Sequence, residues 1–225
     1  MKRILAFYDW LIPRYARKPL LAVVIMNFLC YYIPKAFEGG RNDLHLISTR
    51  LDDALPRIPA FIFIYVLAYV QWVIAYIVIT RDSREHCCRF VSGELTSKFI
   101  AMGILLIYPT TFVRPPVEVT NFSTWVMSLI YKSDTPTNLF PSMHCVASWF
   151  CFRGSLGLKK MPRWYAWVQG FFSLLVFASV LLVKQHVWPD ILGGIAVAEL
   201  GQLLSRLTRA DRLLEKMDLS SRSHT

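Results

Sequence analysis

The segment 58-IPAFIFIYVLAYVQWVIAYIVIT-80 carries no charged residue over 23 positions and stops at Arg81. At 1.5 Å rise per residue, about 20 apolar residues span the hydrocarbon core of a bilayer, so this stretch reads as a membrane-crossing helix. Hydrophobic residues make up 55% of the 225-residue chain and fall into further blocks of similar kind. Six candidate spans result, at about 19–34, 58–80, 98–113, 142–158, 164–183 and 189–205. The expected fold is an all-α integral membrane protein, a six-transmembrane-helix bundle. Residues 1–18 read as an interfacial amphipathic segment, 19–207 as the six-span domain, and 208–225 as a cytoplasmic polar tail, disordered from 218 onward. The block 142–158 contains Arg153, which fits a helix lined by other helices better than one facing lipid.

The formal net charge is +10. The basic residues are scattered between apolar blocks and form no single stripe, which argues against a nucleic-acid partner. They instead report orientation. Eighteen Lys and Arg fall before the first span and after the second, fourth and sixth, against seven on the opposite side. Both termini are therefore expected in the cytoplasm, with the loops at about 114–141 and 184–188 facing outward. Five cysteines, an odd number, give no disulfide framework or metal spacing and read as buried or cytoplasmic free thiols. The stretch 35–57 reads as a polar outer loop holding a short helix, with His45 a solvated loop residue.

Four features collect at the outward ends of the spans. Arg114 lies in 108-YPTTFVRPPV-117, where two prolines end the third span. In 141-PSMH-144, Pro141 suits a helix start, whose first N–H groups, on Ser142 and Met143, would be free to hold an anion. In 184-KQHVWPD-190, His186 and Asp190 lie four residues apart, and Pro189 puts the carboxylate in the first turn of the sixth span. Each has a plainer explanation: Arg114 as an interfacial anchor, His144 as a structural histidine, His186 and Asp190 as a helix cap. Together they set two histidines, an aspartate, an arginine and a lysine at one membrane depth, where ionisable groups are costly and tend to be functional.

PSMH and 179-SVLLVKQHVWPD-190 resemble the second and third motifs of the phosphatidate phosphatase type 2 (lipid phosphate phosphatase) superfamily, PSxxH and SRx5Hx3D. Ser179, His186 and Asp190 match that spacing. Arg114 and Pro115 match the end of the family's first motif, Kx6RP. Ile107 stands where that motif has lysine, and Val180 where the third has arginine. Lys184 and the Tyr108 hydroxyl are the candidate replacements. The reduced pattern is also similar to the branch containing sphingomyelin and inositol-phosphorylceramide synthases.

The resemblance implies an acid phosphatase/vanadium haloperoxidase-like core in the plasma membrane with an outward-facing site. It implies a phosphoric ester hydrolase that needs no metal or other cofactor. The substrate would be a membrane lipid phosphate of the phosphatidate or polyprenyl pyrophosphate type. His186 would be the nucleophile that becomes a phosphohistidine, Asp190 its orienting partner, and His144 the acid and base. Arg114, Ser142, Met143, Lys184 and Tyr108 would hold the phosphate. Two other expectations stand beside this one: transfer of a phospho-headgroup between lipids, and an inactive lipid- or partner-binding membrane protein.

Overall fold

The computed structural model describes residues 9–38 and 43–220. Its helices are α1 (Arg14–Glu38), α2 (Arg50–Ala54), α3 (Ile62–Thr80), α4 (Arg84–Ile107), α5 (Phe122–Ser133), α6 (Met143–Ser155), α7 (Trp164–Leu182), α8 (Trp188–Thr208) and α9 (Ala210–Ser220). Five of them, α1, α3 with its leading 3-10 turn, α4, α7 and α8, are long and apolar enough to cross a membrane. Their outward faces agree with that. On α3 the side chains of Phe63, Leu67, Val70, Val73 and Ile74 are exposed, while the polar Gln71 is buried and donates to Gln169 Oε1 at 3.0 Å. An inside-out distribution of this kind needs a lipid solvent. The architecture is that of an all-α membrane protein.

Several expected boundaries move. The block at 142–158 becomes α6, only 13 residues long, about 20 Å at 1.5 Å per residue. It packs between α3, α7 and α8, consistent with Arg153 in its last turn. The third span starts at Arg84, not near residue 98. Ser83 caps it by accepting from His86 N–H at 3.1 Å. Lys98, at the expected start of that span and one of the eighteen cations that fall outside it on the cytoplasmic side, is instead fully buried in α4 and paired with Glu94, Nζ–Oε1 2.6 Å. Residues 14–18 of the expected interfacial segment belong to α1, and residues 1–8 lie outside the described residues. The polar tail continues as α9, against α4 and α8, with Arg84 donating to Glu215 O at 2.8 Å. Of the stretch from 218 expected to be disordered, residues 218–220 are helical and 221–225 lie outside the described residues. All five cysteines are free and buried.

The two ends of the bundle are distinct. At one end, Trp10 lies under Arg81 and the Asp82 carboxylate accepts from the N–H groups of Lys159 and Lys160 at 2.7 and 2.8 Å. The turn before α4, the loop after α6, the start of α1 and α9 all gather there. At the other end a short parallel ladder joins β1 (His45–Leu46) to β2 (Thr110–Thr111), pairing His45 with Thr110. This ties the loop after α1 to the loop after α4. The segment 108–142, which contains α5, and the loop 183–188 meet it at that end.

Candidate functional site

Local chemistry at this second end builds a site from loops far apart in sequence. Thr110 is wholly buried, and its hydroxyl oxygen accepts from Leu139 N–H (3.0 Å) and Phe140 N–H (2.9 Å), so β2 fixes the approach to Pro141 and α6. The Ser142 oxygen then caps α6, accepting from Cys145 N–H at 3.4 Å. Ser142 N–H donates to Asp190 O at 3.1 Å, joining the first turns of α6 and α8. Two glycines permit this approach. A Cβ on Gly194 would lie 2.8 Å from Cys145 Cβ and 2.9 Å from Ser142 O, and one on Gly193 would lie 2.3 Å from the Phe140 ring.

His186 and Asp190 meet as their spacing suggests. His186 Nδ1 lies 3.0 Å from Asp190 Oδ2, and the same oxygen accepts from Val187 N–H at 3.1 Å. Val187 has no side-chain acceptor, so only the reach-back half of a capping box is made. The Asp190 carboxylate is fully buried and the His186 side chain 11% exposed. With Nδ1 held, Nε2 is the nitrogen left for chemistry. His186 lines a cavity of about 300 Å³ together with Lys184, Asp52, Asp53, Phe112 and Val113.

His144 reaches the same place from α6. Its ring centroid is 6.1 Å from that of His186, and it stacks on Tyr65 at 4.4 Å, with Tyr69 and Trp72 at 5.5 and 5.2 Å. Nε2 of His144 is buried without a hydrogen-bond partner. Arg114 approaches from the third side. Its Nη2 donates to Gln185 Oε1 at 2.9 Å and Nη1 to Asp134 O at 2.7 Å, and its guanidinium lies 4.4 Å from the Tyr131 ring centroid. Tyr131 donates to Val183 O at 2.7 Å, and burial pushes its phenol up to about 12, so it is a neutral donor. Burial lowers the Arg114 pKa from its ordinary value, as expected for a cation short of solvent. Four buried atoms around this centre have no partner: His144 Nε2, Gln185 Nε2, Arg114 Nε and Asp190 Oδ1. Buried polar atoms are normally satisfied, so the unpaired Gln185 amide and Arg114 Nε donors, beside the unpaired His144 nitrogen and Asp190 acceptor oxygen, suit a polar ligand that carries oxygens.

The remaining expected residues are placed differently. Ser142 is fully buried, with its N–H and its oxygen both engaged in the helix start. The expected free donor pair is thus reduced to Met143 N–H. Lys184 lines the cavity, but its ammonium donates to Asp52 O (2.7 Å) and Leu55 O (2.8 Å). Tyr108 is exposed and stacks on His45 at 4.3 Å. His45 is exposed, as a solvated loop residue would be. Ile107, in the place of the motif lysine, is 81% exposed. Val180, in the place of the motif arginine, is buried in an apolar cluster with Tyr65, Met127 and Cys145.

Asp52 carries no motif and is as well placed as any residue that does. Its Oδ1 accepts from Trp188 N–H at 2.8 Å and its Oδ2 from Thr49 N–H at 2.8 Å, which staples the outer loop onto the turn bearing His186. Gln185 and the Tyr65–Tyr69–Trp72 cage also escape the sequence reading. Among the described residues no group of His, Cys, Asp and Glu could hold a metal ion. No protein-family model, curated protein or solved structure matches this chain.

Proposed function

We propose that the chain is a membrane lipid phosphate phosphatase, a phosphoric ester hydrolase working through a phosphohistidine and divergent within the phosphatidate phosphatase type 2 superfamily. The observation that carries this reading is the His186–Asp190 pair, with His186 opening on a cavity and His144, whose Nε2 is unpartnered, 6.1 Å from it ring to ring. Asp190 holds Nδ1–H of His186, which presents the lone pair of Nε2. Nε2 attacks phosphorus, the bond from phosphorus to the lipid oxygen breaks, and protonated His144 gives its proton to the departing alkoxide or phosphate. In the second half His144 takes a proton from water as it attacks, the N–P bond breaks, and inorganic phosphate leaves. Arg114 balances charge on the phosphoryl oxygens and the Gln185 amide nitrogen donates to them, with Lys184 joining when its loop carbonyls release it.

The reading includes six passes through the plasma membrane, with α6 as the short fourth, both termini in the cytoplasm and the site facing outward. It is supported by the start of α1 and by α9 lying at the end of the bundle away from His186, the end where most basic residues collect. The test is release of inorganic phosphate from labelled phosphatidate or polyprenyl pyrophosphate by purified protein, with His186→Ala as control. Label moved onto a second lipid with no free phosphate would replace hydrolysis by headgroup transfer. Turnover unchanged in His186→Ala would remove the catalytic reading.

A further inference from the structure

A second cavity, of about 290 Å³, lies between α6 and α8 and is lined by Arg153, Glu199, Leu200, Gln202, Leu203 and Arg206. Glu199, Gln202, Leu203 and Arg206 recur at helical spacing, so one stripe of α8 forms its floor and Arg153 of α6 its wall. Arg206 is 16 residues beyond Asp190 on the same helix, about 24 Å along its axis. The cavity is therefore separate from the His186 site, toward the opposite end of the bundle.

Its chemistry is two-part. Leu200 and Leu203 are 45% and 52% exposed on a helix long and apolar enough to cross a membrane, so the groove opens toward acyl chains. The charges above them are unequal. The Glu199 carboxylate is already engaged: Arg153 Nε lies 2.7 Å from Oε1, Arg153 Nη2 donates to Oε2 at 3.2 Å, and Trp149 Nε1 donates to Oε1 at 2.7 Å. Arg206 makes no side-chain hydrogen bond or ion pair among the described residues. One pre-oriented arginine, one unspent arginine and one engaged carboxylate leave a net positive charge beside an apolar slot.

We propose that this groove binds the headgroup of an anionic phospholipid, in the leaflet opposite the His186 site. Arg206 takes the phosphate oxygens, Arg153 adds its remaining N–H groups, and Leu200 and Leu203 lie along the chains. The inference rests on the membrane-spanning helices and not on the phosphatase reading.

The test uses the full chain in mixed vesicles of phosphatidylglycerol and phosphatidylcholine, exchanged into detergent and weighed intact by native mass spectrometry. The wild type should retain phosphatidylglycerol over phosphatidylcholine. Arg206→Ala should cut that preference about fivefold, equivalent to roughly 1 kcal/mol for one basic residue, and Arg206→Lys should keep most of it. Arg206 holds no other part of the fold by its side chain, so the variants isolate the groove. Equal retention of the two lipids by the wild type, or full preference surviving in Arg206→Ala, overturns the proposal.

Discussion

At the residue scale, the site separates two histidines by what holds each ring. His186 is tied through Nδ1 to a buried carboxylate, whereas His144 is stacked on Tyr65 and bounded by the Tyr69 and Trp72 rings and leaves Nε2 unpartnered. The first arrangement suits a nucleophile that must gain positive character, and the second a group that trades a proton with whatever enters. A consequence follows for leaving groups. His144→Ala should lower turnover of an alkyl phosphate by about 10²–10⁴-fold, the usual worth of a general acid. It should cost far less with p-nitrophenyl phosphate, whose leaving group departs without a proton. Kinetics of the two substrates on both proteins decide this, and an equal loss on both would make His144 structural. The motif spacing made His186, Asp190 and His144 legible in the sequence. Gln185, Asp52 and the aromatic cage were not, because each owes its place to packing between elements distant in the chain. Tyr108 misled for the converse reason: its neighbour Thr110 turns inward to seat Leu139 and Phe140, while Tyr108 lies outside on His45.

At the element scale, the helix cores were readable from hydropathy and their ends were not. α4 is the clearest example. Arg84, Glu85, His86 and Arg89 made its first half look like a loop, yet Ser83 caps it and an ion pair neutralises its deepest charges. Glu94 and Lys98 are both fully buried, and Tyr76 donates to Glu94 as well. Removing one partner strands the other, so Lys98→Met alone should destabilise by about 3–5 kcal/mol. The double variant Glu94→Leu/Lys98→Met should recover most of that loss, since a buried pair gains little over an apolar one of similar volume. Thermal unfolding of the three proteins in detergent tests it, and a double variant as weak as the single would give the pair a net stabilising role. The contact of α6 with α8 is set by glycine. Gly194→Ala should cost about 1–3 kcal/mol by overpacking, and it should lower activity too, because Ser142 N–H and Asp190 O would be pushed apart. Gly103→Ala is the control. Nothing lies within 4 Å of a Cβ there, so the change should stabilise α4 by about 0.5–1 kcal/mol.

At the scale of the whole molecule, the candidate site and most of the basic residues lie at opposite ends. The end carrying Arg114, His144 and His186 is closed by a loop that Asp52 and Lys184 fasten down, and the other end holds α9 and most of the basic residues. With the cations inward, the histidines open to the outside and the Arg206 groove faces the cell interior. All five native cysteines are buried, so an introduced surface thiol would report the side it lies on. Asp53→Cys, in the mouth of the cavity beside His186, should react with a membrane-impermeant maleimide on intact cells. Lys160→Cys, on the loop after α6, should react only once the membrane is opened. Labelling of both before permeabilisation, or of Lys160→Cys alone, would invert or break the topology. The orientation of the chemistry would then fall with it, because His186, which lines the same cavity as Asp53, and the groups proposed to hold the transferred phosphoryl oxygens all belong to that end.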